Sequence, residues 1–173
     1  ENRRIINERR SASGASKISF THLVAWAIVR SLEKVPALND AFAQSGADSF
    51  RVRRGHVNIG LAVDVAGKDG ARSLKVPSIK SAESQNFATF LAAYDDLVVR
   101  ARGNKLTVSD FEGTTISLTN PGTVGTIGSV PRLMPGQGAI IATGSIDYPA
   151  VLKELKPANY SGWFVVEAEQ DPA

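Results

Sequence analysis

Residues 57–65 read Val-Asn-Ile-Gly-Leu-Ala-Val-Asp-Val, with Val57, Ile59, Leu61, Val63 and Val65 alternating strictly with Asn58, Gly60, Ala62 and Asp64. A period of two places the five branched side chains on one face, the pattern of a half-buried strand. Gly67-Lys68-Asp69-Gly70 then reads as a turn, and Leu74, Val76 and Ile79 begin a partner strand. The two runs form a hairpin, so antiparallel pairing is expected at the centre of the chain.

Working outward, Ser19 is a candidate N-cap for an amphipathic helix. Phe20, Leu23, Val24, Ala27, Ile28, Leu32 and Val35 recur at three- and four-residue spacing until Pro36 stops the pattern. A second helix opens at Ser84, carries Phe87, Phe90, Leu91, Tyr94, Leu97 and Val98 on one stripe, and ends at Gly103-Asn104. Before the first helix, Glu1–Arg10 has the character of a helix end, and residues 11–16 (SASGAS) form a flexible break. Phe50–Arg54 alternates weakly, Thr114–Thr119 is a strand, and Ala139–Ala142 returns as a buried strand. Lys105–Gly113 is a loop carrying Asp110, and a Gly/Pro-rich loop follows Asn120 as far as Gly138. Residues 149–155 read as a short helix and 163–166 as a strand. Helices do not alternate with single strands, so a doubly wound sheet is excluded. The expected architecture is a two-layer α/β sandwich, a mixed, mainly antiparallel sheet covered by helices.

The 173 residues give room for one sizeable core. A hydrophobic share of 43% with 21% charged residues is globular rather than disordered. Net charge is only +3. The basic surplus gathers in Arg3, Arg4, Arg9, Arg10 and Lys17, then in Arg51, Arg53 and Arg54, without the interleaved aromatics of a single-strand binder. These clusters read as solvated faces, and no nucleic-acid partner is expected. No apolar run approaches the roughly 20 residues of a membrane helix. Cysteine is absent, which removes disulfides, thiolate zinc sites and a cysteine nucleophile, and fits a cytoplasmic location. The chain opens on Glu1 rather than Met and has no signal peptide, which suggests a piece of something longer.

The chemistry is sparse. No GxGxxG follows a strand, and residues 122–128 (GTVGTIG) lack the lysine of a phosphate-binding loop. His22 and His56 stand at no metal-ligand spacing from a carboxylate, so each is read as a structural or surface histidine and no metal is expected. The strongest local feature is residues 115–122 (TISLTNPG). Hydroxyls and an amide at a strand end, followed by glycine, make a place to hold an oxyanion. Thr119 and Asn120 would equally serve as turn caps.

Resemblance bears on that choice. Residues 19–42 (SFTHLVAWAIVRSLEKVPALNDAF), 56–64 (HVNIGLAVD), 74–79 (LKVPSI), 101–120 (ARGNKLTVSDFEGTTISLTN) and 136–144 (GQGAIIATG) resemble, in this order, the catalytic domain of the lipoamide acyltransferases of 2-oxoacid dehydrogenase complexes. That family shows phrases such as NIGVAVD and FTISN. The wording between residues 67 and 141 is similar to the acyltransferase domain of multifunctional 2-oxoglutarate metabolism enzymes, in which this domain precedes a thiamine-dependent decarboxylase. The resemblance covers about residues 1–149.

The resemblance implies a chloramphenicol-acetyltransferase-like sandwich, assembled as trimers or higher oligomers with active sites between subunits. It implies coenzyme A and dihydrolipoamide as substrates, with succinyl as the acyl group, in the tricarboxylic acid cycle. Implied partners are a lipoyl-bearing domain, a thiamine-dependent decarboxylase and dihydrolipoamide dehydrogenase. Thiamine diphosphate and Mg would belong only to the rest of the parent chain. In the family a histidine of an HxxxDG phrase takes the thiol proton, and a hydroxyl from the neighbouring subunit stabilises the tetrahedral oxyanion. Matched to FTISN, Thr119 takes the hydroxyl position and Asn120 supports it.

The histidine phrase has no match. Asp69-Gly70, the only Asp-Gly, has Val65 where the histidine belongs. Residues 1–149 are therefore expected to be an acyltransferase domain truncated before its base. Residues 150–173 look foreign: 151–173 (VLKELKPANYSGWFVVEAEQDPA) resembles the C-terminal helix and strand of the TIM-barrel inosose dehydratases and sugar isomerases. In such a barrel Glu167 or Glu169 would be the functional residue, but one helix and one strand cannot close a barrel. Besides acyl transfer, a second reading is a trimerising scaffold that positions a fused decarboxylase without doing chemistry.

Overall fold

The computed structural model describes residues 2–67, 70–120 and 131–143. Three helices appear: α1 (Asn2–Ala12), α2 (Phe20–Ser31) and α3 (Phe87–Arg102). The strands are β1 (Ala41–Ser45), β2 (Asp48–Val52), β3 (Ile59–Leu61), β4 (Val63–Ala66), β5 (Arg72–Lys75), β6 (Ser78–Ile79), β7 (Ile116–Thr119) and β8 (Ala139–Ala142). The central sheet runs β6-β3-β7-β8, while β1-β2 and β4-β5 are two-stranded hairpins. Three of the pairings are antiparallel, and β3-β7 and β7-β8 are parallel. α3 packs on β4 and β6, and α2 packs on α3, giving the helical layer of a two-layer sandwich.

The run 57–65 pairs antiparallel with the segment after the turn, as the hairpin reading expects, but it is two strands rather than one. Ile59 pairs with Ile79 in the central sheet, whereas Val63 pairs with Lys75 in a separate ladder. The break falls at Ala62, whose N–H donates to the Leu118 carbonyl at 2.9 Å, while Leu61 N–H donates to the Pro77 carbonyl at 2.9 Å. Pro77 has no N–H to return, so the ladder cannot run on through it. β3 is buried at all three residues. Neighbours on both edges leave it no open edge, Ile59 and Leu61 face the core, and the Gly60 face is covered by Thr114, Ser117 and Val76.

Helix ends differ by a few residues from the sequence pattern, each for a local reason. α2 ends at Ser31, and a turn in which Val35 N–H reaches the Ser31 carbonyl carries the chain to Pro36, which opens a 3-10 turn. Ser84 closes a separate 3-10 turn, and α3 begins at Phe87 because Asn86 caps it by accepting from Thr89 N–H at 3.0 Å. α1 runs through Ala12, into the stretch expected as a break. β8 is half-buried rather than buried, since it forms an edge of the described sheet.

The core is a contact between α2, α3 and the central strands. Ala25, Val29, Phe90, Ile59 and Ile116 are all fully shielded from water. Phe90 and Trp26 meet with ring centroids 5.3 Å apart, and Phe90 meets Tyr94 at 6.5 Å.

Register between β3 and β7 is set by Asn58. Its backbone N–H donates to Thr115 Oγ1 at 3.0 Å, and its carbonyl accepts from Thr115 N–H at 2.9 Å. Its side chain donates to the Gly113 carbonyl at 2.7 Å and accepts from Ser81 N–H at 2.9 Å. Ser81 holds φ 46°, a left-handed backbone unusual for serine.

Gly138 brings the start of β8 against the 3-10 turn Pro36–Asn39. A Cβ there would stand 2.7 Å from the Asp40 carbonyl oxygen and closer still to that of Leu38. Both are backbone atoms, unlike the side-chain ends of Thr114 and Ser117 that crowd Gly60. Gly138→Ala should therefore cost about 1–3 kcal/mol of stability, the usual penalty of overpacking. Chemical denaturation should show a lower midpoint, and an unchanged midpoint would mean that the two segments do not meet.

Candidate functional site

The open end of β7 carries both residues singled out from the sequence. Thr119 pairs with Ala142 of β8, and its carbonyl accepts from Thr143 N–H at 2.9 Å. One residue earlier, the Leu118 carbonyl holds Ala62 N–H at the β3–β4 break. The strand end is thus pinned on both edges. Thr119 is half-buried, and among the described residues its hydroxyl has no hydrogen-bond partner. Asn120 turns toward the helical layer, where its Nδ2 donates to Thr21 Oγ1 at 3.1 Å. The glycine-rich residues 121–130 lie outside the described residues.

Lower on the same strand, Ser117 Oγ donates to Gln137 Oε1 at 2.7 Å, and Gly138 N–H donates to the Thr115 carbonyl at 2.8 Å. Arg54 Nη2 donates to the Gly136 carbonyl at 2.8 Å. These bonds seat residues 136–138 beside β7 and deliver β8 in parallel register.

His22 is buried in the first turn of α2. Its Nδ1 accepts from Ser19 N–H at 3.1 Å, which places a lone pair there and assigns the proton of the neutral ring to Nε2. Nε2 faces Asp95 Oδ1 at 3.1 Å. Asp95 Oδ2 accepts from Ser16 Oγ at 2.6 Å, with Arg10 Nη2 at 3.8 Å. The ring lies against Tyr94 with centroids 3.9 Å apart. Burial, and then the Asp95 charge, push the Tyr94 phenol up to about 12. Both ring nitrogens of His22 are engaged, so it locks α1, α2 and α3 together rather than standing free as a base.

His56 is exposed just before β3, with Nδ1 2.8 Å from Glu83 Oε1. Burial alone would raise the Glu83 carboxyl, but bonds from His56 and from Val57 N–H outweigh it and hold the group below its ordinary value. Because β3 and β7 are parallel, His56 and Thr119 sit at opposite ends of the sheet. Within the described residues His22 has both ring nitrogens engaged and His56 lies at the far end of the sheet from Thr119. Among the described residues no three His, Cys, Asp or Glu side chains gather as a metal-ligand set, and no helix is long and apolar enough to cross a membrane.

The Thr21 contact and the His22–Asp95 lock were missed in the sequence. Ser19 was visible as a cap, and a histidine three residues on has the capping-box spacing, which was the available signal. Thr21 and Asn120 are 99 positions apart, and no local pattern connects them.

The loop into β7 is fixed by charge. Asp110 accepts from Arg100 Nη1 at 2.7 Å and from Thr107 N–H at 2.7 Å. Nearby, Lys80 Nζ donates to Ser78 Oγ at 2.7 Å and to the Glu112 carbonyl. Burial lowers the Lys80 ammonium, and the charges of Asp110 and Glu112 oppose that shift. The Arg100 bond, then the Thr107 N–H, hold the Asp110 carboxyl at about 2, below its ordinary 3.8. A depressed carboxyl stabilises the fold fully above its unfolded value, and that contribution disappears as pH falls from about 4 toward 2. After screening by water it is worth on the order of 1 kcal/mol. Arg100→Met should flatten the stability profile within that window, as followed by urea midpoints. An unaltered slope would show the pair to be energetically silent.

The family model described as 2-oxoacid dehydrogenases acyltransferase (catalytic domain) matches residues 1–161. It runs past residue 149, where the sequence suggested a junction; residues 144–173 lie outside the described structure. The multifunctional 2-oxoglutarate metabolism enzyme of Mycolicibacterium vanbaalenii is 53% identical over 150 residues, 87% of this chain. The chain spans only 12% of that relative's length. Among solved structures, a probable dihydrolipoamide acetyltransferase from Listeria monocytogenes is 26% identical with a TM-score of 0.66, covering 83% of this chain and 57% of that one. A truncated catalytic core of the 2-oxoacid dehydrogenase multienzyme complex from Thermoplasma acidophilum is 29% identical with a TM-score of 0.65, covering 81% and 62%. The sandwich is therefore of the chloramphenicol-acetyltransferase-like kind that the resemblance implied. With the ordered motifs, the two-layer fold and these likenesses all in agreement, the chain belongs to the acyltransferase family of the 2-oxoacid dehydrogenases and forms part of its catalytic domain.

Proposed function

We propose that this domain transfers a succinyl group between dihydrolipoamide and coenzyme A in 2-oxoglutarate oxidation, with Thr119 as oxyanion donor and Asn120 as its support. The observation that carries the reading is the Thr119 hydroxyl, without a partner among the described residues on a strand end pinned along both edges. The succinyl assignment is supported by the 53% identity to an enzyme named for 2-oxoglutarate metabolism.

In the transfer, the coenzyme A thiolate attacks the thioester carbonyl of succinyl-dihydrolipoamide. A new C–S bond forms and the carbonyl π electrons move to oxygen. Collapse of the adduct expels the dihydrolipoamide sulfur, which takes up the proton released by coenzyme A. A donor fixed in advance costs no reorganisation as charge develops, and losing one typically lowers turnover by roughly 10² to 10³. The proton is carried by the family's histidine, whose HxxxDG phrase does not occur in the 173 residues. The working site is completed in a homotrimer or higher oligomer, in the cytoplasm. The lipoyl-bearing domain, the thiamine-dependent decarboxylase with its thiamine diphosphate and Mg, and dihydrolipoamide dehydrogenase are its partners in the larger assembly.

In a polypeptide that carries the histidine phrase, Thr119→Val should lower succinyl-CoA:dihydrolipoamide exchange by about two orders of magnitude with folding nearly intact. Thr119→Ser should keep most of the activity, and affinities should change little because the bond matters once charge has formed. Unchanged turnover in the valine variant, with a loss of about 0.5–2 kcal/mol of stability, would make Thr119 a cap instead.

The second reading, a scaffold that assembles around a fused decarboxylase without chemistry, is favoured by one observation. His22 has both nitrogens engaged, and His56 lies at the far end of the sheet from Thr119. For the 173 residues alone, exchange should be no faster than the few per cent of ionised thiol allows near neutral pH. Turnover approaching that of an intact relative would place the base within them.

A further inference from the structure

We infer that Thr21 is a positioning residue for acyl transfer, acting through Asn120 to set the direction in which the end of β7 presents Thr119. The inference rests on the oxyanion reading of Thr119 and extends it to a residue in the other layer of the fold.

The strand end has one degree of freedom that the sheet does not control. Hydrogen bonds to Thr143 and Ala62 fix the carbonyls of Thr119 and Leu118, but the ladder ends there, and the next residue leads into the glycine-rich loop. Asn120 precedes Pro121, which confines it to extended backbone without fixing its side chain. The carboxamide donates across the layers to Thr21 Oγ1, and the partners are 3.1 Å apart and both half-buried. Two apolar side chains would fill this space equally well. An amide on a hydroxyl adds direction: it fixes the roll of Asn120 and with it the peptide that joins Asn120 to Thr119.

A positioning contact is only as good as its anchor, and Thr21 stands on a rigid one. The adjacent His22 is tied to the Ser19 backbone on one nitrogen and to Asp95 of α3 on the other, with its ring against Tyr94. Asp95 is held in turn by Ser16 and faces Arg10. The first turn of α2 is thereby clamped to α3 and to the end of α1, and Thr21 transmits that fixed point to the strand end. Reacting groups must be held to a fraction of an ångström, and a misplacement of about 1 Å can cost a hundredfold in rate.

The test is made in the assembled full-length chain by succinyl-CoA:dihydrolipoamide exchange, with thermal melting on the same samples. Thr21→Val should lower kcat roughly tenfold to a hundredfold while KM for succinyl-CoA stays near its starting value. Thr21→Ser, which keeps the acceptor oxygen, should recover most of the turnover. Asn120→Ala should fall at least as far, and Thr21→Val/Asn120→Ala should fall no further than Asn120→Ala alone, because the Thr21 contact is already lost in that variant. Additive losses, equal losses in the serine and valine variants, or a fall only in the fraction folded would each overturn the inference. Thr119→Val in the same series separates the two layers of the argument. If it lowers turnover and Thr21→Val does not, Thr21 has no positioning role. If Thr119→Val itself leaves turnover unchanged, the oxyanion reading fails and takes this one with it. Should Thr21→Val fail to fold, the comparison of Thr21→Ser with Thr21→Ala carries the same decision.

Discussion

Asn58 sets the register on which the end of β7, with Thr119 and Asn120, depends. With side chain and backbone together it bonds Ser81, Gly113 and both the hydroxyl and the backbone of Thr115. Once Thr115 is fixed, Ile116 to Leu118 fall opposite Ile59 to Leu61, and Thr119 emerges level with the break at Ala62. A slip of one residue would exchange the faces of β7, turning Ile116 and Leu118 out of the core and inverting the presentation of Thr119. A half-buried amide suits this task, because a shifted register would break four hydrogen bonds at once, those to Thr115 at the edge of the buried core.

Around this register the two layers divide the work. The sheet supplies position along the strand, and the helices supply direction at its end. Phe90, Val29 and Ala25 hold the layers together by burial alone, which is tolerant of small rotations. The polar chain from Arg10 and Ser16 through Asp95, His22 and the first turn of α2 is not tolerant, since each bond has a preferred geometry. Apolar contacts therefore account for most of the cohesion, and a few hydrogen bonds between layers account for alignment.

Elements whose cause is local could be read in the sequence, and those fixed at a distance could not. The stripe on α3 and the alternation from Val57 to Val65 report a local period. Phe90, Leu91, Tyr94 and Leu97 of the first and the branched residues of the second are buried, although β3 buries Gly60 as well and is not the half-buried strand that alternation suggests. The division of that run at Ala62 depends on the carbonyl of Leu118, far along the chain, and no alternation of side chains announces it. Thr119 and Asn120 stood out as candidates because hydroxyl, amide and glycine at a strand end form a compact phrase, and the family resemblance favoured an oxyanion role over a turn cap. Their tie to α2 was not, for Thr21 is in itself an ordinary polar residue on a helix. His22 shows the mixed case: its spacing from Ser19 was legible, its engagement with Asp95 was not.

The pairing of β3 with β7 closes a loop of 57 residues, and the Asn120–Thr21 bond one of 99. The β1–β2 and β4–β5 hairpins and the three helices close only short loops. Chain entropy opposes distant closures more than near ones, so the hairpins and helices are available early and the parallel β3–β7 ladder closes late. The open end of β7 is thus among the final parts of the molecule to be assembled during folding. A chain in which that end is formed has already completed its pairing with β3, so the strand end that presents Thr119 exists only in molecules that have nearly finished folding.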